Sequence, residues 1–323
     1  MTALLQKIRR TIRRHALCPP GSRVLVGLSG GSDSVALTFL LCELAETLEF
    51  AVAGVAHVNH QLRHTAARDE AFCRALAARL ALPILVAARD VKALATANGC
   101  SIEDAARQAR YEFFAVAAAE IGATHVAVGH TTDDQAETFV LKLARGAGTT
   151  GLGGIYPRRD AVIRPLLEVS REDLREYLRS RGEAWVEDET NADLSNPRNR
   201  VRHEVLPHLE RALGLPARRA IARAAVLAGE DARWLDELAA ARLAPLTTDT
   251  ADGVELDAEL LRREPPPLAR RILHRALRNR AGGKEIGLEH VQTALDVLTG
   301  LSGGAEVPGS RVELRGKKLV LLD

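Results

Sequence analysis

Six consecutive residues, Ser29-Gly30-Gly31-Ser32-Asp33-Ser34, combine what is needed to hold a phosphate. Adjacent glycines let the backbone turn tightly and aim several N–H groups at one anion. A helix starting there adds the positive end of its dipole. Ser29, Ser32 and Ser34 bring hydroxyl donors. Asp33 is a poor phosphate neighbour by itself, but it fits if it holds Mg²⁺ against pyrophosphate oxygens. The alternative is a Gly/Ser turn with an N-cap. No Walker-type loop with its Gly-Lys-Ser/Thr ending occurs. A glycine pattern at Gly146, Gly148 and Gly151 follows a helical stretch, so it reads as a flexible loop and not as a dinucleotide fingerprint.

Three further clusters carry chemistry. In Gly129–Thr138 (GHTTDDQAET), Asp133, Asp134 and Glu137 crowd a helix start, where the dipole favours carboxylates. His130 sits just before them, placed to donate to charge developing on a phosphate. In His57–Arg63 (HVNHQLR), His57 and Asn59 read as adenine- or phosphate-side contacts, with a packed or surface imidazole the alternative for His57. Zinc is not expected there, because no third and fourth ligand follows at a suitable spacing. In Ala106–Tyr111 (ARQARY), Arg107 and Arg110 share one helix face, either binding phosphates or forming a solvated stripe.

The elements that must position these groups alternate. Strands are predicted at Arg23–Leu28, Phe50–Asn59, Pro83–Ala87 and His125–Gly129. Helices are predicted up to Glu46, over Ala66–Leu80, over Ser101–Ile121 with Ser101 as N-cap, and over Asp133–Arg145. This predicts an α/β fold, a doubly wound parallel sheet that binds ligands beyond its strands' carboxyl ends. From Gly146 the texture changes. A helix is expected from about Ser170 to Arg181, an Ala/Leu/Arg-rich helical region over 217–299, and a small hairpin over Glu306–Leu322. The expected division is a catalytic domain over 1–212 and a smaller, mainly helical domain over 213–323.

Taken together and in order, SGGSDS, HVNHQLR, ARQARY, GHTTDDQAET, Arg164-Pro165-Leu166-Leu167 and the segment Asp193 to Arg202 resemble the tRNA(Ile)-lysidine synthase family. This family belongs to the PP-loop (N-type) ATP pyrophosphatases, which have an adenine nucleotide alpha hydrolase-like fold. The likeness is close over about residues 20–210 and looser beyond, in a chain near the family's short end. It implies a two-step ligation with ATP and Mg²⁺. The wobble cytidine of a CAU-anticodon tRNA(Ile) is adenylated through its C2 oxygen, then free L-lysine displaces AMP. Carried over by position, Asp33 would coordinate Mg²⁺, and Ser29 to Ser34 with His57 and Asn59 would hold ATP. Arg110 and His130 would stabilise charge on the α-phosphate. Asp134 would hold the lysine amine or the metal, with Glu137 as its rival, and Arg202 would contact the cytidine or the lysine carboxylate. The resemblance allows a homodimer.

Composition fits this reading and excludes others. The cysteines at 18, 42, 73 and 100 form no C-x-x-C pair, which argues against a sulfur-transferring relative and suggests reduced thiols in a cytoplasmic setting. No apolar run approaches the roughly 20 residues that span a bilayer, so no membrane partner is expected. The net charge of +2 hides segregated blocks. Residues 1–23 hold six cations and no acid, 196–223 are net +5, and 262–280 are net +6, while 183–193 hold five acids and no base. Arg270 and Arg271, in the last basic block, are expected to contact tRNA phosphates.

Overall fold

The computed structural model describes residues 2–61, 65–187 and 193–322. Leu62 and Arg63 of the HVNHQLR motif, and Asp188 and Glu189 of the acidic run, lie outside the described residues. The chain divides into two compact units, Met1–Leu227 and Ala228–Asp323. This division falls inside a 30-residue helix and not at 212/213. No described helix is long and apolar enough to cross a membrane.

The first unit opens with α1 (Ala3–Arg14), β1 (Arg23–Gly27), α2 (Ser32–Ala45), β2 (Ala51–Asn59), α3 (Ala66–Arg79) and β3 (Ile84–Ala88). Then come α4 (Val91–Asn98), α5 (Ile102–Glu120), β4 (His125–Ala127) and α6 (Thr132–Ala144). It continues with α7 (Thr149–Leu152), β5 (Arg158–Arg159), β6 (Val162–Ile163) and α8 (Arg171–Ser180). After α9 (Pro197–Arg200) the helix widens into a π turn over Val201–Val205 before α10 (Leu206–Leu213). Pro207, which lacks an N–H for the α-helical ladder, follows directly.

The strand order is β3-β2-β1-β4-β6-β5. β1 runs parallel to both β2 and β4, and only the edge strand β5 is antiparallel. Val24, Leu25 and Val26 are fully buried, as expected of a strand covered on both faces. One face packs on α1, α2 and α8 through Val24, Val26, Ile8, Leu40 and Leu174. The other packs on α5 through Leu25, Val126 and Phe113. Chain order reverses between β1 and β4, so β1–α2 and β4–α6 leave the sheet side by side. That is where ligands bind in open α/β sheets. The expected parallel sheet is therefore present, and the predicted strands are matched to within a residue or two.

The second unit departs from expectation. After α11 (Ala217–Leu246), the hairpin β7 (Thr247–Thr250) and β8 (Gly253–Asp257) interrupts the supposed helical region. The helices α12 (Ala258–Arg263), α13 (Pro266–Arg280) and α14 (Leu288–Leu298) then precede β9 (Gly304–Val307), β10 (Ser310–Arg315) and β11 (Lys318–Leu322). The sheet is five-stranded, in order β7-β8-β11-β10-β9, and it closes over Ile272, Leu273, Leu277 and Val297. The Thr-rich run around Asp252-Gly253 supplies the turn. The expected terminal hairpin is three strands of this sheet.

One contact fixes the crevice. A Cβ on Gly129 would stand 3.1 Å from the backbone carbon and oxygen of Asp33 and 3.2 Å from the Ser34 nitrogen. Only glycine lets the end of β4 press directly on the start of α2. Gly129→Ala is expected to cost about 1–3 kcal/mol, the usual range for overpacking, read as a lower urea midpoint. An unchanged midpoint would show that the two backbones can separate freely.

Candidate active site

The phosphate-type loop builds itself before any ligand arrives. The Ser29 N–H donates to Ser34 Oγ at 3.1 Å, the Ser29 and Ser34 hydroxyls lie 3.1 Å apart, and Ser34 Oγ donates to the Gly31 carbonyl at 3.0 Å. These hydroxyls are spent on loop shape. Ser32 Oγ donates to Asp33 at 3.1 Å. Gly31 caps α2 and supplies no side-chain acceptor. The first-turn N–H groups of α2 are thus left without a side-chain cap at the dipole's positive end, as an anion site requires. Gly30 adopts φ +91°, and a Cβ there would meet Val186 Cγ2 at 3.4 Å and Cys73 Sγ at 3.5 Å.

At the neighbouring strand, Thr131 and Asp134 form a reciprocal capping box at the start of α6. Asp134 Oδ2 accepts from the Thr131 N–H and hydroxyl, both at 2.8 Å. Its other oxygen points away from the cap and accepts from Arg171 Nη2 at 3.3 Å and Arg198 Nη2 at 3.1 Å. Glu137, one turn along, is 1% exposed. It accepts from Arg198 Nε at 2.8 Å and Arg202 Nε at 2.6 Å, and lies 3.7 Å from Arg171 Nη1. Arg171 also donates through Nε to Asp33 at 3.0 Å, and its backbone N–H donates to Asp133 at 2.8 Å. One guanidinium therefore touches the loop carboxylate and both inward acids of α6.

Burial and this network set the charges. Burial would lower Arg171's pKa, but Asp134, Asp33 and Glu137 more than offset it and raise it above the ordinary value. For Asp134, burial acts upward, yet Arg171 and Arg198 win and hold the carboxyl well below its usual range. Asp33 goes the other way. Burial raises it, Asp134 adds to the effect, and Arg171 offsets only part. Asp33 is thus a carboxylate short of positive charge. Together with Asp134 it supplies hard oxygens around one cationic group, a donor set that suits Mg²⁺ with phosphate oxygens and water completing the shell. Among the described residues no three acids, histidines or cysteines form a complete metal cage.

His130 is held neutral. Burial pushes its pKa down to about 3, with Arg164, Arg198 and Arg107 adding to the drop and Asp134 opposing it. Its buried Nδ1 has no hydrogen-bond partner among the described residues.

The sequence-predicted residues do not all converge. Asp33, His130, Asp134 and Arg202 do. His57 is buried, with Nδ1 2.9 Å from the Leu28 carbonyl, so it braces the end of β1. Asn59 donates to Glu70 at 3.2 Å and accepts from the Gln61 N–H at 3.0 Å. Arg110 is exposed and makes no hydrogen bond or ion pair among the described residues, and on this helix it is Arg107 whose charge reaches His130. The residues that sequence reasoning passed over are Arg171, Arg198 and Gln135. Arg171 occupies the first position of α8, where the dipole repels a cation, and that mismatch was the available signal. Gln135 clamps the supposedly flexible glycine loop, donating to the Gly153 carbonyl at 3.2 Å and accepting from the Ile155 N–H at 2.6 Å.

Comparisons with known proteins show the family. A PP-loop domain model matches residues 3–209. A tRNA(Ile)-lysidine synthase from Geobacter sulfurreducens is 41% identical, over 98% of this chain and 67% of that protein. One from Chlorobaculum tepidum is 34% identical, over 96% and 93%. One from Thermus thermophilus is 44% identical, over 70% and 43%. The chain thus spans about two thirds of the Geobacter relative's length. Among solved structures, a tRNA thiolase from Methanococcus maripaludis with a 4Fe-4S cluster shares the fold, with TM-score 0.56 and 18% identity over 70% of this chain and 78% of that one.

Two outcomes test the electrostatics. Glu137→Gln leaves Arg198 and Arg202 short of a buried counter-charge and is expected to cost about 3–5 kcal/mol in urea unfolding. A loss below about 1 kcal/mol would make the pairing a surface-like contact. The second concerns His130. The unfolded chain protonates it near pH 6.5 and the folded one only near 3. Its contribution is therefore full above about pH 6.5 and declines as pH falls toward 3, by up to about 1.4 kcal/mol per pH unit. His130→Gln should flatten the stability–pH curve between pH 6 and 4.5, and an unchanged slope would contradict the buried neutral imidazole.

Proposed function

The chain belongs to the PP-loop domain family and, within it, to the tRNA(Ile)-lysidine synthases, and on that premise we propose that it ligates L-lysine to the wobble cytidine of a CAU-anticodon tRNA(Ile) at the expense of ATP. The observation that carries the reading is Arg171, which gathers Asp33 from the phosphate loop and Asp134 and Glu137 from α6 around one point. A phosphate-binding loop and a carboxylate pocket within one guanidinium's reach are what a nucleotide-activated amine ligation needs.

The roles follow from the chemistry. The uncapped first-turn N–H groups of α2 bind the pyrophosphate end of ATP. Asp33, with Asp134 beside it, holds Mg²⁺, which when bound neutralises the leaving pyrophosphate. His130, neutral at physiological pH, donates one N–H to a phosphoryl oxygen as the cytidine C2 oxygen attacks the α-phosphorus. That attack turns a poor leaving group into a good one, since C2 then carries AMP. Arg198 and Arg202, which bind Glu137, meet the lysine carboxylate. The acids of α6 orient its ε-ammonium, and the proton it loses before attack passes to water. Displacement of AMP completes the product. The buried thiols of Cys18 and Cys73, pushed up to about 12 by burial, are poor nucleophiles and give no support to sulfur transfer.

The direct test is nucleoside analysis of a CAU-anticodon transcript after incubation with ATP, Mg²⁺ and lysine. Lysidine is expected with lysine and none with ammonia, and Asp33→Asn should lower ATP–pyrophosphate exchange at least 100-fold. Ammonia-dependent turnover without tRNA would overturn the assignment.

A further inference from the structure

Many arginines of the first unit hold a nearby acid. Arg171, Arg198 and Arg202 hold acids of the site, Arg218 holds Glu210 and lies 3.8 Å from Asp133, and Arg74, Arg79, Arg175, Arg179 and Arg181 hold surface acids. Others have no ion-pair partner among the described residues, and several of these lie along α1 and the nearby sheet edge. α1 is amphipathic. Leu5, Ile8 and Ile12 face the core, while Arg10 and Arg13 are exposed and have no ion-pair partner among the described residues. Arg14 beside them is met by Glu168 at 3.3 Å. From this end of the helix the surface passes to the sheet edge, because Arg158 on β5 donates to the Ala16 carbonyl at 3.3 Å.

β5 carries two exposed arginines in succession, and alternation along a strand sends Arg158 and Arg159 to opposite faces of the sheet. Arg158 turns to the α1 side. Arg159 therefore turns to the α5 side, and it lacks an ion-pair partner among the described residues. There it comes near enough to Lys142, on the last turn of α6, to disfavour the ammonium. Burial lowers the Lys142 pKa most, and Arg107 and Arg159 lower it further. Arg107, stacked on the Tyr111 ring at 5.3 Å, is also one of the cations acting on His130.

Charged residues on an edge strand guard a sheet against unwanted pairing. That accounts for Arg158 and Arg159 alone. It does not account for Lys142 on α6 and Arg107 on α5, which stand close enough to Arg159 for these cations to repel. Unpaired like charges held together cost stability unless an anion relieves them. We propose that Arg10 and Arg13 of α1, Arg158 and Arg159 of the edge strand, Lys142 and Arg107 form a continuous track that binds the phosphodiester backbone of an RNA stem and leads it to the site. The guanidinium fork suits phosphate oxygens, and the track reads charge and not base sequence. It rests on the ligase reading for the identity of the RNA. It also places tRNA contacts in the first unit, in addition to the basic block of 262–280.

The test compares wild-type protein with the triple variant Arg10→Gln, Arg13→Gln, Arg159→Gln in binding of the CAU-anticodon transcript from 50 to 200 mM salt. All three side chains are exposed, so the urea midpoint should not move. Losing three phosphate contacts should shallow the log K against log salt slope by about 2.7, so that wild type loses about 40-fold more affinity than the variant across that range. Lysidine formation at saturating tRNA should stay within twofold. Equal slopes and equal affinities would overturn the track. So would a loss of binding to phosphatidylserine vesicles with tRNA binding unchanged. Failure of the ligase reading would show separately, as wild-type protein that makes no lysidine, and the slope comparison would still decide the surface.

Discussion

Buried charge must be matched, and that constraint organises this active site. Three carboxylates converge where chain order reverses between β1 and β4. Isolated, each would be costly to keep ionised. Arg171 supplies the positive charge they share, with Arg198 and Arg202 completing the balance on Glu137. Buried ion pairs seldom repay their desolvation against a well-packed apolar core, so such a cluster is better explained by chemistry than by stability. The same guanidinium joins three segments far apart in sequence, the loop at 33, the helix at 134–137 and its own helix at 171. The capping box fixes Asp134 so that one oxygen always faces this junction.

Everything around the cluster keeps it in register. Gly129 allows β4 to abut the start of α2, His57 braces Leu28 at the end of β1, and Gln135 ties the glycine loop to α6. The basic track and the acid cluster divide the work by exposure. Solvated cations at the rim act on a long polyanion at a distance, and partly desolvated groups inside act on single atoms.

Much of this was legible in the sequence. Alternating apolar runs and Gly/Ser punctuation located β1, β2, β4 and α2. The Ser101 cap and the Thr131-to-Asp134 spacing marked the starts of α5 and α6. Local signals report local structure, and they failed where the deciding partner was distant. Arg171 reads as an ordinary residue behind the Ser170 cap until Asp33, 138 positions away, is seen beside it. His57 and Asn59 also contact neighbouring segments, at Leu28 and Glu70, which their motif does not reveal. Arg271, expected to face tRNA, is 15% exposed and bound to Asp236 and the Ala232 carbonyl, so of that pair only Arg270 is exposed. In the second unit, an Ala/Leu/Arg-rich composition masked the β7–β8 hairpin, because four Thr/Asp residues weigh little in a long helical window.

The central claim is that Arg171 and Asp33 act as one device in activating ATP. A double-mutant cycle in tRNA-dependent ATP–pyrophosphate exchange measures this directly, using Asp33→Asn, Arg171→Gln and the two combined. If the pair is one device, the combined variant is no slower than the slower single variant, within about twofold. If the two losses multiply, the residues act independently and the account fails.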